Sequence, residues 1–365
     1  MVAAIMKTNH VASGASETLI SRGVEPLNQE MLFSSLEEFV TPEESFYVRC
    51  HFPIPQVDAD SWRLQVEGAV DAALELKLAD LRALPRHTIM ATMECAGNGR
   101  SFLQPRVKGV EWDLGAVGNA NWTGVLLRDV LDRAGVRDDA LEVILQGADK
   151  GEIKEPPRPA GEIHYARSLP LAKARRDVLL ALELNGAPLT PSHGFPLRAV
   201  VPGWFGMAAV KWLDWIIVSP TPFQGYYQSI DYTYWTRRDG LPTLLPLAEM
   251  QVKAQIARPQ LNETVPAGKA YRVHGAAWAA ESEIAKVELS TDGGATWALA
   301  TLRDEAAKNA WRFWEFDWKT PTEPACCTLV ARATDAAGRT QPRERVADHG
   351  SYVVNHWLPI AVDVR

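Results

Sequence analysis

The sequence predicts an α+β fold in two domains: a mixed α/β domain over residues 46–248, preceded by an irregular lead-in over 1–45 and followed by a small β-sandwich over 249–365. Three observations predict it. A chain of 365 residues is too long for one ordinary core. Up to about residue 248, runs with strand-like alternation are interleaved with short helical ones, the pattern of a mixed domain. From about Gln251 the texture changes to short alternating runs separated by turn signals, which is how a sandwich reads.

The lead-in has one short amphipathic run, 31–39, stopped by Thr41-Pro42. Over 46–55 β-rich residues end in two prolines that cannot continue a ladder, and alternation puts Arg49 and His51 on one face with Val48 and Cys50 on the other. A strand over 62–68 and a short helix over 78–84, ended by Pro85, come next. A strand-like segment over 87–93 then delivers Cys95 into the turn Ala96-Gly97-Asn98-Gly99, with Arg100 just beyond. Thr123 reads as the N-cap of a helix carrying Val125, Leu127, Val130, Leu131 and Ala134, with Gly135 in the stop position. A buried strand over 141–145 leads into Asp149, Ser168 caps a short helix beginning at Leu169-Pro170, and a strand over 178–184 turns at Asn185-Gly186.

Strands through Val201 and over 210–218 flank a Pro202-Gly203 turn. The stretch 223–245, aromatic and polar by turns around Asp231-Tyr232, reads as a long functional loop. In the last third, runs over 271–276, 286–290, 311–318 and 328–333 alternate, Asp292-Gly293-Gly294 makes a hairpin turn, and 352–364 supplies a final strand. Trp311, Trp314 and Trp318 read as sandwich core, and the neighbours Cys326 and Cys327 face opposite sides of their strand.

Hydrophobic and charged contents of 47% and 23% are those of a soluble globular protein. A net charge of -7 argues against nucleic acid or an anionic membrane as partner, and no run approaches the ~20 apolar residues of a membrane span. Four cysteines without a CxxC spacing exclude a zinc knuckle, a c-type haem attachment and a disulfide framework, and fit a reducing compartment. Residues 1–16 hold one lysine, no twin arginine and no long apolar core, so the expected location is cytoplasmic, or periplasmic where a signal has been removed.

Chemistry concentrates in the first domain. A cation beside a thiol favours the thiolate, the form that attacks electrophiles or binds metals, and Arg100 follows Cys95 closely; the same spacing also describes a buried structural cysteine. Arg49, Arg100, Arg198, Lys108 and Lys211, with His51 and His193, all adjoin glycines, prolines or turns. Arginines gathered in an acidic protein call for an anionic partner, because their fork of donors suits oxyanions and phosphates. Taken singly, each arginine also reads as an ordinary surface residue, His193 as a core histidine and Tyr232 as packing.

The wording of these segments goes further than their spacing. Cys-Ala-Gly-Asn-x-Arg over 95–100, with Lys108-Gly109-Val110-Glu111-Trp112 downstream, resembles the molybdenum-ligating motif of the sulfite oxidase family of molybdopterin enzymes. Residues 46–53 resemble the family's Phe-x-x-Arg-Asn-His-x-Pro segment, with Cys50 in place of the Asn. Asp149, the His-Gly-Phe-Pro-x-Arg segment from His193 to Arg198, Lys211 within Val-Lys-Trp-Leu, and the Asp231-Tyr232 pair match in order. The resemblance implies a molybdenum-molybdopterin cofactor (Moco) with Cys95 as the metal's thiolate ligand. It also implies cofactor contacts from Tyr47, Arg49, His51, Asp149, His193, Arg198 and Lys211, and a catalytic set of Arg49, Cys95, Arg100, Asp231 and Tyr232.

By the same resemblance, residues 249–365 are an Ig-like dimerisation domain and the protein a homodimer. The implied reaction is oxidation of sulfite, a small anionic substrate, to sulfate by oxo transfer, with electrons passed to an external acceptor such as cytochrome c or oxygen. Two departures stand out: Gly99 replaces a more usual Arg, and Pro359 stands where the family's ending supplies a substrate arginine, which leaves the pocket one cation fewer. They keep open a same-family enzyme that reduces an oxyanion or S-oxide or oxidises another sulfur compound. A non-enzymatic binding protein built on the sandwich is a third reading, and it leaves the N-terminal 250 residues unexplained.

Overall fold

The computed structural model describes residues 19–303 and 306–365, so the N-terminal residues read for a leader lie outside it. The first domain rests on two sheets. One runs in the order Leu74–Leu76, Leu64–Gly68, Leu213–Ser219, Glu142–Glu152, Glu162–Pro170, parallel only where Leu64–Gly68 meets Leu213–Ser219. The other runs Ala187–Pro188, Leu179–Leu184, Val117–Leu126, Arg86–Glu94, with Arg198–Val200 also paired to Leu179–Leu184.

The helix Leu127–Ala134 buries Leu127, Val130, Leu131 and Ala134, an i, i+3, i+4, i+7 stripe, and stops at Gly135, whose φ of 71° is the left-handed stop the sequence predicts. Its start differs. Thr123 lies inside the strand Val117–Leu126, which is paired on both sides, and its hydroxyl bonds Thr88 Oγ1 at 2.8 Å instead of capping a helix. Ser168 likewise belongs to the strand Glu162–Pro170, and the following helix begins at Leu171. In both places, cross-strand pairing outweighs a local capping signal worth about 1 kcal/mol.

The lead-in is more ordered than its composition suggests. Leu19–Gly23 and Asn28–Met31 form a hairpin that pairs with Val48–Arg49, and of the 31–39 run only Phe33–Ser35 makes a short helical turn. Buried Glu30 accepts the Asp113 and Gly115 amides at 2.9 and 3.0 Å, which ties this hairpin to the chain beyond the cysteine turn. The stretch 223–245 is also no plain loop: one π-helical turn, Tyr227–Asp231, is followed by a two-stranded hairpin, Thr233–Arg238 with Leu241–Pro246.

The second domain is a sandwich of a four-stranded sheet (Lys253–Arg258, Ala270–Trp278, Arg312–Lys319, Thr301–Leu302) and a five-stranded one (Thr264–Val265, Ile360–Val364, Ala325–Asp335, Ile284–Ser290, Ala298–Leu299). Trp314 and Trp318 fill its core as expected. Trp311 does not: it packs with Trp278 and Phe313 against the first domain and donates its indole N–H to Phe39 O at 3.0 Å. The two domains therefore share one apolar core across their contact. Among the described residues no helix is long and apolar enough to cross a membrane.

Candidate active site

Cys95 is aimed by the strand before it. Arg86–Glu94 pairs along its whole length with Val117–Leu126, and the pairing continues one step as Cys95 N–H donates to Ala116 O at 2.9 Å. The chain then reverses, with the Asn98 amide on Cys95 O at 2.9 Å and the Arg100 amide on Gly97 O at 3.0 Å. The thiol is buried. Burial pushes its pKa up, while Arg100, Arg49 and the Gly97 N–H pull it back.

Arg100 sits behind this turn. Its guanidinium donates to Val110 O at 2.7 Å and Ser351 O at 3.0 Å and lies 5.3 Å from the Tyr352 ring centre. Gly97 has to be bare, because a Cβ there would come within 2.3 Å of the Arg100 guanidinium.

The thiol opens onto a pocket that is partly open to solvent. Of the residues singled out from sequence, Tyr47, Arg49, His51, Asp149, His193, Arg198, Lys211 and Tyr232 line it beside Cys95. Arg100 and Asp231 stand outside the lining, and exposed Lys108 pairs with Glu155 at the surface. The pocket's cations have neutral partners. Arg198 donates to His193 O at 3.1 Å and Ala209 O at 3.2 Å, and Lys211 to Ser192 O at 2.8 Å and Cys50 Sγ at 3.2 Å.

Arg49 donates to Asn28 Oδ1 at 3.2 Å and to Cys50 O. The alternation read from sequence holds here, with Arg49 and His51 toward the pocket and Val48 and Cys50 packed against Trp212. Burial lowers Arg198 to about 10 and, with Arg198 and Lys211 nearby, pushes His193 down to about 3. The pocket's one carboxyl, Asp149, is raised to about 7 by burial against the pull of Lys211. Gly194, at φ 103°, lets the chain turn where a Cβ would press on Lys211 and Arg198 at 3.0 and 3.1 Å.

On the opposite wall, His51 Nε2 and Tyr232 OH are 2.7 Å apart, and the His51 ring stacks on Tyr165 with centres 4.3 Å apart. Burial, with Arg49, Lys211 and Arg167 around it, drives the His51 pKa well down, and burial drives that of Tyr232 up. Both are neutral at pH 7, a phenol donor and an imidazole acceptor. Asp231 lies beyond them, accepting the Tyr352 hydroxyl at 2.9 Å, and the Tyr352 ring is 5.1 Å from that of Tyr232.

Tyr165, Arg167 and Tyr352 escaped the reading of the sequence. Buried Arg167 donates to the carbonyls of Tyr227 and of Leu247, the latter at 2.7 Å, and so holds the turn that carries Asp231 and Tyr232. An arginine between the apolar residues Ala166 and Leu169 of a strand was the signal available for it. Pro359 is exposed and does not line the pocket.

Among the described residues no group of three or more His, Cys, Asp or Glu could hold a metal ion. A metal at Cys95 therefore has to bring its other ligands with it. Buried donors without a counter-charge, beside a thiol, fit a cofactor that carries an anionic phosphate at one end and a metal at the other. Residues 51–227 match the oxidoreductase molybdopterin binding domain, and residues 245–365 the Mo-co oxidoreductase dimerisation domain.

The chain is 37% identical to the sulfite oxidase of Gallus gallus over 324 residues, which cover 84% of this chain and 69% of that one. It is 36% identical to the mitochondrial sulfite oxidase of Rattus norvegicus, again over 84% of this chain, and spans 58% of that relative's length. The crystal structure of the sulfane dehydrogenase SoxCD from Paracoccus pantotrophus superposes with a TM-score of 0.79 at 26% identity, over 96% of this chain and 85% of that one. The chain is a molybdopterin-dependent oxidoreductase and belongs to the sulfite oxidase family.

Proposed function

We propose that this protein oxidises a small anionic sulfur substrate, sulfite foremost, by molybdenum-dependent oxo transfer, as a homodimer joined through its second domain, with electrons handed to an external acceptor. The observation that carries this reading is the buried Cys95 thiol opening onto a pocket whose arginines and lysine have neutral partners. Cys95 would bind the metal. Tyr47, Arg49, His51, Asp149, His193, Arg198 and Lys211 would hold the molybdopterin, with His193, Arg198 and Lys211 around its phosphate. When bound, the cofactor supplies an oxygen atom to the substrate and accepts an electron pair.

Overall, sulfite and water become sulfate, two protons and two electrons. Arg49 binds the substrate's oxygens through the donors its neutral partners leave free. The Tyr232 hydroxyl, kept protonated by burial, holds its proton on His51 Nε2, which leaves its oxygen at the pocket wall free to accept a hydrogen bond from water or a protonated substrate. Arg100, behind the thiol, adds positive potential without touching the substrate. Tyr165 and Tyr232 exclude bulk water from that end of the pocket.

The test is sulfite-dependent reduction of ferricyanide, scaled to molybdenum content. Rapid turnover with about one molybdenum per chain supports the reading. Full occupancy with negligible turnover sinks sulfite as the substrate. A second reading rests on exposed Pro359: with one cation fewer, the pocket favours a sulfur substrate of lower charge, oxidised in the same way, and turnover of a sulfane substrate in that assay would select it.

A further inference from the structure

The strand Lys253–Arg258 opens the second domain, and its residues alternate between two environments. Ala254 and Ile256 enter the sandwich core. Lys253 and Gln255, 1% and 3% exposed, face the other way, into the cysteine turn of the first domain.

Lys253 Nζ donates to Glu94 Oε1 at 2.9 Å and to Asn98 O at 3.2 Å. Its ladder partner Trp278 donates its indole N–H to the other oxygen, Glu94 Oε2, at 2.9 Å. Asn98 Nδ2 donates to Glu94 Oε1 at 3.2 Å and to Gln255 Oε1 at 3.1 Å, while Gln255 Nε2 donates to Leu114 O at 3.0 Å. Asn98 Oδ1 in turn accepts the amide of Ala116, the residue whose carbonyl takes the Cys95 amide. From the far end of the chain, Val353 N–H donates to Ala96 O at 3.0 Å. Both neighbours of Cys95, and the turn that follows it, are thus held by residues of the second domain.

We propose that Lys253 and Gln255 are positioning residues for Cys95, so that the sandwich builds the metal site as well as carrying the contacts between protomers. This rests on Cys95 being the metal's ligand. A buried ion pair that loses one partner leaves a charge with no compensation, and that cost falls on the turn that must stay closed for the thiol to keep its direction.

The experiment uses the full chain purified without molybdenum, with iodoacetamide alkylation of each cysteine followed by mass spectrometry. Cys50, wholly buried just after the strand Val48–Arg49, is the internal reference, because global opening exposes both thiols alike. K253M is expected to speed alkylation of Cys95 relative to Cys50 by about tenfold or more, and Gln255→Leu by about threefold. Gln255→Leu carries the test where K253M fails to fold. The double variant E94Q/K253M, which removes both charges, is expected to bring the ratio back to within about twofold of the parent. Val287→Ala, in the sandwich core, should speed both thiols by one common factor.

An unchanged Cys95-to-Cys50 ratio in K253M and Gln255→Leu overturns the proposal. The thiolate-to-metal charge-transfer absorption of the molybdenum-loaded protein separates the two layers: its loss in Cys95→Ser supports the ligand reading, and an unchanged spectrum overturns that reading whatever the alkylation shows.

Discussion

Asp149 should be a residue that the fold carries at a loss. It lies in the strand Glu142–Glu152, 3% exposed, and lines the pocket. Burial holds its carboxyl protonated up to about pH 7, against an ordinary value of 3.8, with Lys211 only partly offsetting it. A pKa raised by folding contributes stability that is complete below the unfolded value and is lost as pH rises through the folded one. At ~1.4 kcal/mol per pH unit, the loss accumulated from pH 4 to above pH 7 is about 4 kcal/mol.

Asn has the same shape and no charge, so D149N in cofactor-free protein should exceed the parent in stability, and by more at pH 8 than at pH 5. The difference between those two pH values is about 2–3 kcal/mol. His193, lowered to about 3, acts with the opposite sign: its contribution is present above 6.5 and is lost as pH falls toward 3. It is common to both proteins and cancels in the comparison. Urea unfolding at the two pH values measures the gap. A gap that is the same at pH 5 and pH 8 would refute the reasoning, and loss of molybdopterin from the same variant during purification is the expected functional counterpart.

Tyr232→Phe removes the hydroxyl 2.7 Å from His51 Nε2 and should lower kcat/KM about 10–100-fold per molybdenum; unchanged steady-state constants would remove Tyr232 from the reaction. Arg167→Met strips the donors from the Tyr227 and Leu247 carbonyls, so unfolding free energy should fall by about 2–3 kcal/mol and amide exchange in the Tyr227–Asp231 turn should quicken; exchange at the parent rate contradicts this. Cys50→Ala takes the thiol from Lys211 Nζ. Its expected stability cost is about 1 kcal/mol, and dialysis should release pterin faster than from the parent; equal release would mean that Lys211 is held well enough by Ser192 O.

Much of the fold class was legible because it depends on short-range pattern. A strand-like run marked the way into Cys95, the apolar stripe and Gly135 marked the end of Leu127–Ala134, and the change of texture after Gln251 marked a sandwich. Alternation over 48–51 assigned Arg49 and His51 to one face. Where two local signals competed, tertiary pairing decided: Thr123 and Ser168 are good caps, but Thr123 lies in a strand paired on both sides and Ser168 in an edge strand paired with Glu142–Glu152.

The sequence by itself determined which chemistry the chain can hold: a thiol after a strand, turn-borne arginines, and a histidine before Gly-Phe-Pro. Only the tertiary structure decided which of those groups meet. It put Lys108 at the surface, Arg100 behind the thiol, and Tyr165 and Tyr352 around Tyr232. Lys253 and Gln255 show the reason most directly. A strand reading Lys-Ala-Gln-Ile-Ala-Arg has one polar face, and period two cannot say whether water or another domain covers it. Here the other domain does, and the polar groups that water would have satisfied are spent on the turn that carries Cys95.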